Sequence, residues 1–269
     1  MNSRWKQYLL YASLIIVLGG LVLILIETVK AKNTGFETKT LWDWMELLII
    51  PLFLAGGAFF LNRSERNTER EIATDRQQEA ALQAYLDQMT ELLLEKDLGN
   101  TENPEVRLVA KTRTLTVLRG LDGLRKRNVL QFLRDAKLIG AMVKSPVFTL
   151  KGADLSNADL RGANLESVNL EEVNLQHADL RGVRLFETNF KEADLRYANL
   201  QNADLSRSFF IKTDLSNANM RNVFFKDTNV TDAILQFADL KGATVLPPQT
   251  LEFVKTLKGA TMPDGTIHE

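Results

Sequence analysis

The residues able to do chemistry are few in kind. The chain of 269 residues has no cysteine and two histidines, His177 and His268. Disulfides, thiolate nucleophiles and multi-histidine metal clusters are thereby removed. Carboxylates are plentiful, with 34 Asp and Glu, and they fall into distinct settings. Glu27, Asp43 and Glu46 sit at the ends of two apolar runs, where a carboxylate reaches water, and Asp43 and Glu46 also suit a helix N-terminus. That placement speaks against a proton relay. Many others recur in the C-terminal half at intervals of five residues, as in Asp154, Asp159, Asp179 and Asp204, so their abundance belongs to a repeat rather than to an acid–base pair. No phosphate-cradling Gly loop, nucleophile elbow or metal-ligand spacing accompanies them. The expectation is a protein that is no enzyme and takes no cofactor or metal.

The elements that would position these residues differ sharply along the chain. Tyr8 to Ile26 and Leu41 to Leu61 are apolar runs of about 20 residues, the length of a bilayer-crossing helix. Trp5, Tyr8, Trp42 and Trp44 lie at their boundaries, and Gly19, Gly20, Gly56 and Gly57 would allow close helix contact. Pro51 would bend the second run. The pattern predicts a transmembrane helical hairpin over 1–61, with spans at about 8–26 and 41–61. A cleaved signal peptide is the rival reading of the first run, but that run is long for one and a second follows soon after. Basic residues favour the side shared by the two flanks, Arg4 and Lys6 before and Arg63, Arg66, Arg70 and Arg76 after. An integral, multi-pass protein with both termini cytoplasmic is therefore expected. The formal net charge of -1 gives no bulk attraction to nucleic acid.

Residues 62–146 read as a charged helical stalk and a basic helical module. From Asn62 to about Lys96 no Gly or Pro interrupts, and Leu82, Leu86, Met89 and Leu93 form a stripe that needs a partner. Packing on the following helices is favoured over a coiled coil, because Asp75 and Glu79 fall on the same seam. Two further helices are expected, about Glu105 to Arg119 and Gly123 to Ile139. Between Pro104 and Lys144 stand ten Lys or Arg against three acids. Arg119, Arg125, Lys126 and Arg127 form a candidate patch for anionic lipid or an acidic partner, weighed equally against a solvated helix surface.

From Phe148 to Val245 the chain repeats every five residues. One position reads Leu150, Leu155, Leu160, Leu165, and so on through Phe190, Phe210, Met220 and Phe225 to Val245, always apolar. Two residues earlier stands a small residue, such as Ala153, Ala158 or Ala163, and between the two usually an Asp or Asn. A strict period of five would scatter leucine round every side of a helix. In a briefly extended segment the small residue and the Leu share one face, while the Asx faces out. A chain that extends and turns every five residues must coil, and its coils stack with Leu over Leu in a narrow bore.

The run of ADLSN, ADLRG, ANLES, ADLRY and ANLQN resembles the pentapeptide-repeat family. That resemblance implies a right-handed quadrilateral β-helix with four repeats per coil, giving a mixed fold class: transmembrane hairpin and helical stalk, then a β-solenoid. The expected domains are 1–61, 62–146, 147–246 for the solenoid, and 247–269 for a C-terminal cap. Lys137 to Pro146 would cap the start of the rod. Pro247 and Pro248 would stop it, Gln249 to Leu257 would form a short amphipathic helix with Leu251, Val254 and Leu257 inward, and Pro263-Asp264-Gly265 would turn.

Some residues depart from the repeat. Phe209, Phe224 and Ile234 replace the outward Asx, as does Arg184, and Phe186, Tyr197, Ile211 and Phe237 are also expected to point outward. These seven apolar residues make a candidate partner-binding patch. His177 is expected to be a surface residue. The leading expectation is a scaffold that binds a protein partner at the cytoplasmic face of a lipid bilayer. An accessory subunit of a membrane transporter is the alternative. A topoisomerase inhibitor that mimics DNA is disfavoured, because residues 148–245 hold 14 acids and 11 bases, a net of about -3, against one charge per ~1.7 Å for duplex DNA. No nucleic-acid partner is expected, and self-association into a homo-oligomer stays open.

Overall fold

The computed structural model describes residues 41–140, 147, 149–244 and 251–269. The chain divides into two compact units, 1–71 and 72–269.

The membrane expectation is corrected. Among the described residues no helix is long and apolar enough to cross a membrane. The expected second span is the opening of α1, Leu41–Glu95, a single helix of 55 residues that runs on through charged sequence. Its charge-free apolar stretch lies between Glu46 and Asn62, and as a helix that is roughly 22 Å, short of a hydrocarbon core of ~30 Å. The integral multi-pass placement with cytoplasmic termini does not stand on such a helix. The expected first span, at 8–26, lies outside the described residues.

Two helices follow α1, namely α2 (Pro104–Gly120) and α3 (Gly123–Asp135). Each begins on an Asx cap that supplies an acceptor to an otherwise orphaned N–H: Asn103 takes the amide of Glu105, and Asp122 that of Arg125. The apolar stripe of α1 is covered within the chain. Leu82, Tyr85 and Met89 are buried, and Leu86, Leu92 and Leu93 pack at the edge of the same core. Tyr85 meets Phe132 edge-on at 6.2 Å and shares a hydrogen bond of 2.9 Å with Thr114. Burial pushes its phenol up to about 12. Asp75 and Glu79 leave the apolar seam and grip Arg125 at 2.7 and 2.9 Å.

The repeats wind into coils of four five-residue sides. Each outward Asx position pairs in parallel with the one 20 residues on, from Asp154↔Asn174 to Phe224↔Thr244. The pairs are single bridges, because the chain turns before a strand can lengthen. Leu155 N–H donates to Asn174 C=O at 2.8 Å, Asn157 N–H to Gln176 C=O at 2.9 Å, and Asn174 N–H back to Ala153 C=O at 2.9 Å. That trio recurs up the rod and satisfies the backbone without a flat sheet.

Inside, every central residue from Leu150 to Leu240 is at most 2% exposed. Phe190 and Phe210 stack at 4.8 Å on one side. Where the small position holds a hydroxyl, it is buried against a carbonyl of the coil below, as Thr188 on Leu165 and Thr213 on Phe190. The Asx side chain accepts the amide two residues on, as Asp154 does from Ser156 at 2.9 Å, which is why this residue type suits the turn. At the corners, every fifth residue from Gly152 to Gly242 has a left-handed φ of 55° to 74°. Most of these are not glycine, so the corner conformation is imposed by stacking on neighbouring coils.

Both ends of the rod are closed. The first coil has no coil beneath it, and α3 takes that place. Lys126 Nζ donates to Ser156 C=O at 2.8 Å, Arg134 donates to Asn164 C=O at 2.8 Å, Arg127 donates to Arg161 C=O, and the Asp159 amide donates to Gly123 C=O at 3.1 Å. Gly123 lies so close that a Cβ there would stand 2.4 Å from Asn157 C=O. The cap thus begins earlier in the chain than Lys137; Leu138 and Ile139 are buried in the same core, and 141–146 lie outside the described residues. At the far end, Leu251 is helical but the chain turns straight after it, so the expected helix of 249–257 does not run on to Leu257. Thr256 bridges Ile234 and Thr261 bridges Asp239, so a partial sixth coil forms at a register of 22, two residues longer than the rest. Leu251, Val254 and Leu257 pack against the core, half-buried. The expected turn at Pro263 to Gly265 is present, with Gly265 N–H donating to Met262 C=O at 2.9 Å. It closes a small antiparallel hairpin in which Thr261 pairs with Ile267. Pro247 and Pro248 lie outside the described residues.

Candidate functional site: the outer face of the rod

Because the register is 20, outward residues form vertical columns about 4.8 Å apart. Most columns are polar and internally paired. On the third side, Arg161 holds Asp159 at 2.6 Å and Arg181 holds Asp179 at 2.6 Å. The Arg161 guanidinium lowers the Asp159 carboxyl to about 2, and the Arg181 guanidinium likewise lowers Asp179. Arg196 binds Asp194 on the second side at 2.7 Å, and Arg221 meets Asp239 on the third. Such paired columns offer little free charge to a ligand.

The apolar departures gather toward the C-terminal end. Of the seven candidate residues, Phe209, Ile211 and Phe224 lie on the fourth coil and Ile234 and Phe237 on the fifth. Phe186 lies on the second coil and Tyr197 on the third. Phe209, Phe224, Tyr197 and Phe237 are exposed, at 44, 37, 53 and 54%, while Phe186, Ile211 and Ile234 are half-buried. Arg207 covers the Phe186 ring at 5.5 Å. Phe209 and Phe224 flank one corner, and Tyr197 and Phe237 share the corner diagonally opposite. His177 is exposed, as expected, and stacks on Tyr197 with centroids 4.9 Å apart and planes at 5°. Phe253 and Ile267, at 62 and 71% exposure, extend the apolar end and were missed, since they lie beyond the regular repeat.

The second candidate patch is disposed differently. Lys126 is buried, and burial lowers its ammonium pKa despite Asp154 at 3.7 Å. Arg125 is held by Asp75, Glu79 and Asp122, and Arg127 by a main-chain carbonyl. Three of the four cations therefore engage the protein's own acceptors, and Arg119 alone among them is exposed.

The profile of the pentapeptide-repeat family matches residues 150–185, 187–210 and 210–244, in eight copies. The chain is a pentapeptide-repeat protein. Pentapeptide-repeat proteins of known structure are similar to part of this chain. One from the Arabidopsis thaliana thylakoid lumen is 27% identical, with 44% of this chain and 83% of that chain covered and a TM-score of 0.36. HetL of the cyanobacterium Nostoc, a pentapeptide-repeat protein involved in heterocyst differentiation regulation, is 32% identical over 45% of this chain, with a TM-score of 0.24. This chain spans 55% of that protein. QnrB1, a plasmid-mediated fluoroquinolone resistance protein, is 14% identical over 43% of this chain and 80% of its own, with a TM-score of 0.24. No curated protein matches the chain.

Proposed function

We propose that this pentapeptide-repeat protein is a protein-binding scaffold whose contact surface is the C-terminal part of the rod. The observation that carries this reading is the replacement of outward Asx by Phe209, Phe224 and Ile234 on the fourth and fifth coils, with Ile211 next to Phe209 on the same side. An Asx at each position would complete a turn hydrogen bond, so an exposed phenylalanine forgoes local stabilisation. Aromatic side chains on a rigid surface are the usual anchors of protein interfaces.

The test is site-specific photo-crosslinking in the native cell from positions 209 and 224, compared with position 169, an Asn two coils below Phe209 in the same column. The expected result is one protein adduct from 209 and 224 and none from 169. In the Phe209→Asn, Phe224→Asp double variant, restored turn bonds should keep or raise the unfolding midpoint while a photo-crosslinker at 211 loses that adduct. Equal labelling from all three positions would overturn the reading.

A further inference from the structure

The corner between the second and third sides carries a column of His177, Tyr197, Asn217 and Phe237, one residue per coil. All four share a left-handed φ of 58° to 61°, so their Cα–Cβ bonds are parallel. The backbone beneath them is continuous: Tyr197 N–H donates to Ser216 C=O at 3.1 Å, Asn217 N–H to Gln236 C=O at 2.9 Å, and Phe237 N–H to Lys258 C=O at 3.0 Å. The His177 and Tyr197 rings on this corner lie face to face, 4.9 Å apart. Asn217 breaks the ladder. Its short side chain stands where a ring would, between Tyr197 and Phe237, which are two coil rises or about 10 Å apart.

Both jaws are backed. His177 lies against the far face of Tyr197. On the other side, Gly259 meets Phe237 so closely that a Cβ there would stand 2.4 Å from the ring. Asn217 is exposed, and no hydrogen bond engages its side chain among the described residues. Asp214, three residues earlier on the same coil, is engaged elsewhere: its Oδ1 takes the Ser216 amide and hydroxyl, and its Oδ2 lies 3.9 Å from Arg196 Nε.

We infer that the gap between Tyr197 and Phe237 is a slot for one planar cation, the guanidinium of an arginine on a protein partner. The width equals two spacings of the His177–Tyr197 kind, so one flat group stacks on both rings. A guanidinium gains from two π faces and donates to the Asn217 amide oxygen. A phenyl ring would leave the Asn217 amide without a partner, and the tetrahedral ammonium of lysine does not stack flat. The rod already makes this contact once, with Arg207 over Phe186.

The slot rests on reading the rod as a protein-binding surface but lies on the corner opposite Phe209 and Phe224, so the two fail separately. The full-length chain, labelled at Tyr and Phe ring carbons and Asn side-chain amides, is titrated with the blocked tripeptide Gly-Arg-Gly and its Lys and Tyr counterparts. The expected result is saturable NMR shifts confined to Tyr197, Asn217 and Phe237, with the Lys and Tyr peptides about tenfold weaker. Asn217→Phe fills the slot with a ring that this corner already tolerates at Tyr197 and Phe237. It should abolish the shifts while leaving the unfolding midpoint unchanged or higher. Absent shifts, equal response to the Lys or Tyr peptide, or undiminished binding by Asn217→Phe would each overturn the slot. Adducts retained at 209 and 224 would then show that the scaffold reading survives without it.

Discussion

At the first coil the missing neighbour is replaced mostly by side chains, with one main-chain bond from Asp159 to Gly123, and at the last by main chain. Lys126, Arg127 and Arg134 reach from α3 to carbonyls of Ser156, Arg161 and Asn164. At the other end, Thr256 and Thr261 bridge Ile234 and Asp239, and the hairpin through Gly265 folds over them. The first solution depends on charge and on the close approach of Gly123. The second depends on turn chemistry and reuses the bond pattern of the coils. A helix can therefore close a β-solenoid, provided it carries long cations to span the distance that a strand would cover.

The largest effect should come from Gly123→Val, whose side chain meets main-chain atoms of Asn157 and Asp159. A loss of about 3 kcal/mol or more is expected in urea unfolding, with fast exchange of the Asp159 amide. Retained protection there would break the distinction between the two caps. Next, Arg134→Met removes the donor to Asn164 C=O and leaves an acceptor without its partner, at a cost of about 1–3 kcal/mol. At the far end, Thr266→Val removes its 2.7 Å hydroxyl bond to Asp264. Unfolding should report about 1 kcal/mol or less there, because the amide bond to the same carboxylate remains.

The smallest effect concerns acid. Asp159 is held down to about 2 by Arg161 first, with Arg127 of the cap also contributing. Its folded value lies below its unfolded one, so its contribution is complete above the ordinary aspartate range and is lost as pH falls through about 2. Carbon NMR should place the Asp159 midpoint near 2 and show it rising in Arg127→Gln. An unmoved midpoint in that variant would separate the carboxylate from the cap.

The interior was legible because burial follows the five-residue period without exception, from Leu150 to Leu240. The left-handed corners were not, since Tyr197, Glu172 and Phe237 carry no local signal for a conformation that stacked neighbours enforce. The capping role of Lys126 and Arg127 was missed for a related reason. A run of cations announces its charge, whereas the carbonyls it serves appear only once a first coil with an open underside exists. The spacing of Leu251, Val254 and Leu257 fits a helical turn, but helix ends at Leu251 and two extra residues between Thr244 and Thr256 let the chain rejoin the coils at register 22. The long apolar windows near the N-terminus suggested spans, but the described part joins a charged helix. On the surface, the replaced Asx positions pointed to Phe209 and Phe224, and both are exposed. Ile234 is half-buried beneath the partial sixth coil, which the sequence did not disclose. The gap at Asn217 became visible only when the register placed it between two rings.

The carbonyls that α3 grasps belong to the polypeptide backbone, which every coil displays alike whatever its side chains. The helical module is therefore a generic plug. Twenty-residue blocks could be spliced into or removed from the rod above it, lengthening or shortening the molecule in steps of about 4.8 Å, while the seat at its base stayed the same.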